Sequence, residues 1–142
     1  MVQPAYEVPA MPEYGFGMRL RGLTMERARG RVGEALAAEG FCVLSEIDVR
    51  ATLKRKLGVD VSPYLILGVC HAALAYRALL TEPYSGLFIT TNVALWEDGR
   101  EIFVTIANPE ATLGLVADPR LEPVASEAES RLRGALERLG AA

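Results

Sequence analysis

Cysteine and histidine stand side by side once in this sequence, at Cys70 and His71, between an apolar segment and an alanine-rich one. The composition predicts a strand that passes directly into a helix there. Backbone N–H groups and the helix dipole at such a position lower a thiol pKa and attract anions. Cys70 is therefore a candidate thiolate, and the alternative is a core thiol, because free cysteines are commonly buried.

His71 is the only histidine of the sequence. A Cys–His dyad would have to use it, unless a water or a carboxylate serves as the base. Adjacent strand residues point to opposite faces, so Cys70 and His71 reach one substrate only if the helical turn begins between them. The alternative is an exposed histidine at a helix N-terminus with no catalytic role.

Thr91 and Asn92 are a second pair of candidate binding residues. They lie in the uncharged segment 86–96, where buried polar groups need hydrogen-bond partners. They can line a pocket beside Cys70, or they can pair across strands, which is common for threonine.

The basic cluster Lys54-Arg55-Lys56 is typical of a solvated helix end, where positive charge complements the helix dipole. The alternative is that this cluster binds an anionic metabolite.

Metal and cofactor sites find little support in the sequence. Cys42, Cys70 and His71 occur without the CxxC or HxxxH spacing of a structural zinc site, so we expect no metal. No phosphate-binding loop, dinucleotide fingerprint, nucleophile elbow or paired-histidine motif occurs, so we expect no cofactor. Two cysteines without a secretory signal indicate free thiols in a reducing compartment.

The elements that position these residues are predicted from caps and periodicity. Alternating apolar residues predict a first strand from Tyr14, and Thr24, Asp48 and Asn108 predict the N-caps of three helices. Further elements are strands at 41–47, 64–70, 86–96 and 101–107, a helix at 71–80, a hairpin turn at 97–100 and a C-terminal helix with an apolar stripe from Leu121 to Leu139.

The order β-α-β-α-β-α-β-β-α-α predicts an α+β two-layer sandwich, with a mixed, mainly antiparallel sheet and helices packed on one face. The chain has 142 residues, of which 51% are hydrophobic. That length suits one domain with its own core, which we place at 14–142. Residues 1–13 contain Pro4, Pro9 and Pro12 and are predicted to form an extended N-terminal arm.

Charge and hydropathy exclude several classes of function. A net charge of -3 argues against nucleic acids and anionic membranes as partners, because both attract basic surfaces. The longest uncharged run, 61–76, is shorter than the roughly 20 residues of a membrane-spanning helix. The first basic residue is Arg19, so no basic region precedes a secretory signal core, and we expect a cytoplasmic location.

Three segments are similar to a known protein family: GFCVLSEIDVRATLKRKLGVDVSPYLILGVCHAALAYRALLTEP at 40–83, GLFITTNVALWEDG at 86–99, and NPEA from Asn108. Over about Met18 to Leu139 the sequence resembles the domain-of-unknown-function 302 family. The resemblance implies a small α+β fold that self-associates and has no established reaction.

The sequence departs from the family pattern at two places. Family members usually read Cys-Asn-Pro where this chain has Cys70-His71-Ala72, and Leu-Pro-Cys-Asn-Val where it has ITTNV at 89–93. The first family cysteine is kept, and the second is replaced by Thr91. A function that depends on that cysteine pair, such as a dithiol switch or a two-sulfur metal site, is then absent here or performed differently.

Apolar residues are concentrated in 61–80 and 86–96. The helix that we predict there has Arg77 as its single charge between Ala72 and Leu80. A helix that is apolar on nearly all sides is either deeply buried or covered by another subunit. We therefore expect a subunit interface or a pocket in this part of the chain.

The leading hypothesis is a non-enzymatic cytoplasmic homodimer that binds a small ligand or a partner. The candidate ligand-binding residues are Cys70, His71, Thr91 and Asn92. Two other hypotheses remain open: a thiol-dependent enzyme or redox sensor that uses Cys70, and a purely structural or interaction protein.

Overall fold

The structure is a computed structural model that describes residues 11–141. Residues 1–10 of the predicted N-terminal arm lie outside the described residues. The strands are β1 (Gly15–Arg21), β2 (Phe41–Asp48), β3 (Tyr64–His71), β4 (Thr91–Asp98) and β5 (Glu101–Ala107). The helices are α1 (Met25–Ala38), α2 (Val49–Leu57), α3 (Ala72–Thr81), α4 (Pro109–Gly114) and α5 (Glu122–Ala141), with 3-10 turns at Pro83–Leu87 and Pro119–Leu121.

The strands form one sheet in the order β1-β5-β4-β3-β2, and each neighbouring pair is antiparallel. β1 and β2 lie at opposite edges, so the connection through α1 crosses the sheet. β4 and β5 form the predicted hairpin, in which Gly99 has a φ of 65°. Glycine adopts this left-handed conformation without a steric cost. The prediction of an α+β fold is confirmed.

α1 and α5 pack on one face of the sheet and form the main core with it. The side chains that alternate along the strands meet the apolar stripes of both helices there. The predicted stripe of the C-terminal helix is confirmed, because its members are buried: Leu121, Ala125, Ala128, Leu132, Ala135 and Leu139. This helix therefore packs within its own chain.

A second apolar cluster lies beyond the end of the sheet, where α3, α4 and α5 meet. Leu74 and Ala78 of α3 pack there with Leu113 of α4 and the first turns of α5. Phe88 and Ile89, which precede β4, pack against this cluster. Residues 11–141 thus form two cores, and the end of β3 and the start of β4 lie at their junction.

The predicted starts of α3 and β4 are wrong. The strand expected at 86–96 begins only at Thr91. The residues before it form a 3-10 turn, because Glu82 caps that turn and Pro83 fits its first position. The helix expected from His71 begins at Ala72, because His71 is still paired in the sheet and acts as the N-cap.

The other face of the sheet, called the outer face, is not covered by α1 or α5. An aromatic row crosses it, formed by Tyr64, Trp96 and Phe103, with ring centroids 6.2 Å and 4.5 Å apart. The guanidinium of Arg19 lies 4.8 Å from the ring centroid of Phe103 and ends the row. In residues 11–141, none of the helices has the length and apolar character needed to cross a membrane.

Candidate functional site

Cys70, the penultimate residue of β3, lies on the outer face. Val69 before it is buried in the main core, and successive strand residues point to opposite faces. Cys70 is 9% exposed and belongs to neither apolar cluster. Burial, and to a lesser extent the neighbouring thiol of Cys42, raises the pKa of Cys70. The expectation of a lowered thiol pKa is wrong, because desolvation penalises the thiolate.

His71 points the opposite way, into the junction of the two cores. Its Nδ1 accepts a hydrogen bond from the N–H of Leu74 at 3.4 Å, which makes it the N-cap of α3. Its ring meets Phe41 edge to face, with 5.4 Å between centroids. Because Nδ1 is the acceptor, the neutral imidazole carries its proton on Nε2. Cys70 and His71 lie on opposite sides of the sheet, so they do not form a dyad.

Thr91 and Asn92 are divided in the same way. Thr91 lies opposite Val69 in the sheet register, is buried, and lines the junction beside His71. Asn92 is exposed and lies on the outer face with Cys70. The structure therefore places His71 with Thr91 on one side of the sheet and Cys70 with Asn92 on the other.

A small crevice, called the junction crevice, separates the two cores. His71 and Thr91 are polar residues in its wall, and most of the others are apolar: Phe41, Leu74, Ala78, Phe88, Leu113 and Val124. The cavity volume is about 20 Å³, which is space for one water molecule. A larger ligand fits only if part of this wall moves.

A larger cleft lies between α4 and the start of α5. Its volume is about 610 Å³, within the range of about 300 to 1,000 Å³ that is typical of small-molecule sites. Glu110, Asp118 and Glu122 lie on its rim. Hydrogen bonds from Arg120 lower the pKa of Asp118. Asp118 forms an ion pair with Arg120 at 2.7 Å, so the guanidinium offsets the charge of this carboxylate.

The sequence did not reveal this cleft. Asn108 and Pro109 favour a helix that continues through Ala117. α4 instead ends at Gly114, and Ala117 has a φ of 58°, which turns the chain away and opens the space. The left-handed conformation of an alanine has no sequence signal, because glycine or asparagine is the usual residue there.

Cys42 lies directly opposite Cys70 in the pairing of β2 with β3. Both cysteines are free thiols. From the sequence, Cys42 is expected to be a free thiol and a weak candidate zinc ligand, with no predicted contact to Cys70. The available signal was that strands predicted at 41–47 and 64–70 bring these two residues together if they pair as antiparallel neighbours. Among residues 11–141, no group of three or more His, Cys, Asp or Glu side chains is arranged to hold a metal ion.

The fold and these surfaces define a small α+β domain with two cores and an antiparallel sheet. The family model described as "Domain of unknown function DUF302" matches residues 16–139. The chain belongs to this family, and the resemblance seen in the sequence is confirmed.

A similar solved structure is the crystal structure of an uncharacterised conserved DUF302 protein from Bacillus stearothermophilus. It has a TM-score of 0.81 and 27% sequence identity, and the match covers 89% of this chain and 98% of that chain. No curated protein matches this chain.

Proposed function

We propose that this domain is a homodimer that binds a small ligand or a partner segment, and that α3 contributes to both roles. The outward side of α3 joins the two copies, and its inward side closes the junction crevice. One observation carries the proposal: large apolar side chains are exposed on α3 and the following 3-10 turn. Tyr76, Leu80, Tyr84 and Leu87 are 64%, 69%, 81% and 78% exposed.

These residues, together with Leu79, are called the α3 patch. Contiguous apolar patches of this kind are uncommon on monomers and mark interaction sites. Arg77 is the single charged residue of α3, and it forms an ion pair with Glu127 of the same chain at 3.3 Å. The charge on α3 itself is therefore paired, and the carboxylate of Glu82, between Leu80 and Tyr84, accepts a hydrogen bond from the N–H of Tyr84 at 3.0 Å. A second copy of the same apolar face complements the α3 patch, and a two-fold axis brings such faces together.

The junction crevice is the proposed ligand site. Its polar lining residues are His71 and Thr91, within an otherwise largely apolar wall. A few polar groups in an apolar pocket are typical of small-molecule sites. Leu74 and Ala78 of α3 form part of the wall, so an outward shift of α3 widens the crevice.

The proposed location is the cytoplasm. Both cysteines are free thiols, which are typical of proteins in a reducing compartment.

An enzyme with Cys70 as its nucleophile receives less support. Thiol chemistry requires the thiolate, and burial raises the pKa of Cys70. His71, the only histidine, lies on the other side of the sheet and cannot act as its base. A purely structural protein remains the second candidate, because the α3 patch supports a dimer whether or not a ligand binds.

Sedimentation tests the dimer. Leu80→Glu places a charge in the α3 patch, and Leu57→Glu is the matched control. Leu57 and Leu80 are both 69% exposed, and both lie in the last turn of a helix. We expect wild type and Leu57→Glu to be dimers at micromolar concentration and Leu80→Glu to be a monomer. A monomeric wild type would contradict the proposal.

Thermal shift tests the ligand site. We would screen wild type and Thr91→Val against a library of small metabolites. A ligand present at 100 times its Kd stabilises the folded state by about 2.7 kcal/mol. We expect at least one compound to raise the Tm of wild type and to lose this effect in Thr91→Val. If no compound raises the Tm, the ligand role fails and a structural protein is left.

A further inference from the structure

Cys42 and Cys70 form a pair of neighbouring thiols on the outer face. They are directly opposite in the antiparallel register of β2 and β3, and both are free. The Sγ of Cys42 lies 3.5 Å from the carbonyl oxygen of Cys70. Directly opposite residues of antiparallel strands have Cα atoms about 4.5 to 5.5 Å apart, and disulfides span Cα distances of about 4.4 to 6.8 Å. The backbone spacing therefore permits a disulfide between them.

The two thiols differ in their access to solvent. Cys42 is exposed on the edge strand β2, whereas Cys70 is 9% exposed on the inner strand β3. A β-bulge between Val43 and Ser45 follows Cys42, and bulges interrupt the regular pairing of a strand. β2 can therefore adjust at this point. A dissolved oxidant therefore reaches the exposed sulfur of Cys42 more easily than the buried sulfur of Cys70 on the neighbouring strand.

We propose that Cys42 and Cys70 are a reversible oxidation site that takes a hydroperoxide as its oxidant. The thiolate of Cys42 attacks one peroxide oxygen, the O–O bond breaks, and Cys42 becomes a sulfenic acid. With hydrogen peroxide, the departing hydroxide takes up a proton and leaves as water.

The thiolate of Cys70 then attacks the neighbouring sulfenic sulfur of Cys42; because burial raises the pKa of Cys70, this step is slower at neutral pH than at alkaline pH. The S–S bond forms, the S–O bond breaks, and the hydroxyl leaves as water with the proton that Cys70 gives up. In total, two thiols lose two electrons and two protons, and one hydrogen peroxide becomes two waters. A thiol such as glutathione reverses the reaction by thiol–disulfide exchange.

The disulfide has a measurable consequence for the fold. It links the edge strand β2 covalently to β3 and closes a loop of the chain from residue 42 to residue 70. Closing a loop of this length restricts the unfolded chain and should raise the Tm by about 10 °C. The site lies on the outer face and does not depend on the proposed α3 dimer.

Oxidation of the full chain with hydrogen peroxide tests the proposal. Remaining thiols are then blocked with N-ethylmaleimide, and peptides are mapped by mass spectrometry without reduction. We expect a Cys42–Cys70 cross-link within one chain, loss of both thiols, and a Tm higher by about 10 °C. Dithiothreitol should restore both thiols and the original Tm.

Two variants separate the roles of the sulfurs. Cys70→Ser should accumulate a sulfenic acid at Cys42 that dimedone traps, and Cys42→Ser should keep Cys70 reduced. Sulfinic acid at Cys42 beside a reduced Cys70, or a disulfide between two chains, would overturn the proposal. Leu80→Glu should form the same cross-link, so failure of the dimer and failure of this site are distinguishable.

Discussion

Trp96 stacks on Phe103 across β4 and β5, with 4.5 Å between ring centroids and 13° between ring planes. The row continues to Tyr64 on β3 and to the guanidinium of Arg19 on β1. It supplies packing on the outer face, where α1 and α5 supply none. Phe103 is consequently only 7% exposed, although it lies outside the main core.

Removal of the central ring of this row should destabilise the fold. We expect Trp96→Ala to lower the free energy of unfolding by about 3 kcal/mol, because both of its ring contacts are lost. Trp96→Phe keeps a ring in place and should cost about 1 kcal/mol. Trp96 is the only tryptophan, so urea unfolding is followed by circular dichroism. Equal losses in the two variants would show that stacking contributes little.

Gly17 in β1 has no space for a side chain. A Cβ at this position would overlap the carbonyl oxygen of Val104 on β5. We expect Gly17→Ala to push the two strands apart and lower the free energy of unfolding by about 2 kcal/mol. Gly30→Ala is the control, because a Cβ there meets nothing within 4 Å.

Gly30 lies within α1, where replacement of glycine by alanine stabilises a helix by about 1 kcal/mol. The two substitutions should therefore change the midpoint of urea unfolding in opposite directions. If Gly17→Ala were as stable as wild type, β1 would have enough freedom at the sheet edge to accept a side chain.

Ala72 occupies the position where the family resemblance has proline. It is the first residue of α3, after the N-cap His71. Proline suits this position because its φ is helical and its missing N–H has no helical partner there. The difference between this chain and the family pattern Cys-Asn-Pro therefore lies at the N-cap and the first residue of α3.

We expect Ala72→Pro to stabilise the protein by about 0.5 kcal/mol, because proline restricts the unfolded chain. Ala75→Pro, one turn later, should cost about 3 kcal/mol, because it removes a helical hydrogen bond. Thermal unfolding of the two variants checks this. A large loss in Ala72→Pro would contradict the assignment of Ala72 as the first helical position.

Local signals made the secondary structure predictable. Thr24, Asp48 and Asn108 each accept a hydrogen bond from a backbone N–H in the first turn of the next helix, as their residue types predict. The predicted start of the strand at 86–96 is wrong, because the apolar residues before Thr91 pack against the second core and do not pair in the sheet. Hydrophobic composition alone does not separate these two environments.

The grouping of the candidate residues was not predictable in the same way, because it depends on strand register. Thr91 lies opposite Val69, so a cysteine at position 91 would face the junction crevice, on the other side of the sheet from Cys70. The thiol that does lie beside Cys70 is that of Cys42, 28 residues away in sequence. Spacing along the chain carries no information about this pairing until the order of the strands is known.

The raised pKa of Cys70 has a consequence for stability at alkaline pH. Its pKa is raised in the folded state, mainly by burial, so the folded chain holds the thiol proton more firmly than the unfolded chain. This contribution to stability is complete below the unfolded pKa of about 8.5 and is lost as the pH rises through the folded pKa.

We therefore expect the iodoacetamide reaction of Cys70, measured in Cys42→Ser, to have a pH midpoint above about 8.5. Burial is the larger cause of the shift, so it persists when Cys42 is replaced. The same variant unfolded in urea is the control and should return the midpoint to about 8.5. A midpoint in the folded protein at or below that of the unfolded control would show that the thiol is activated, and would favour the enzyme hypothesis.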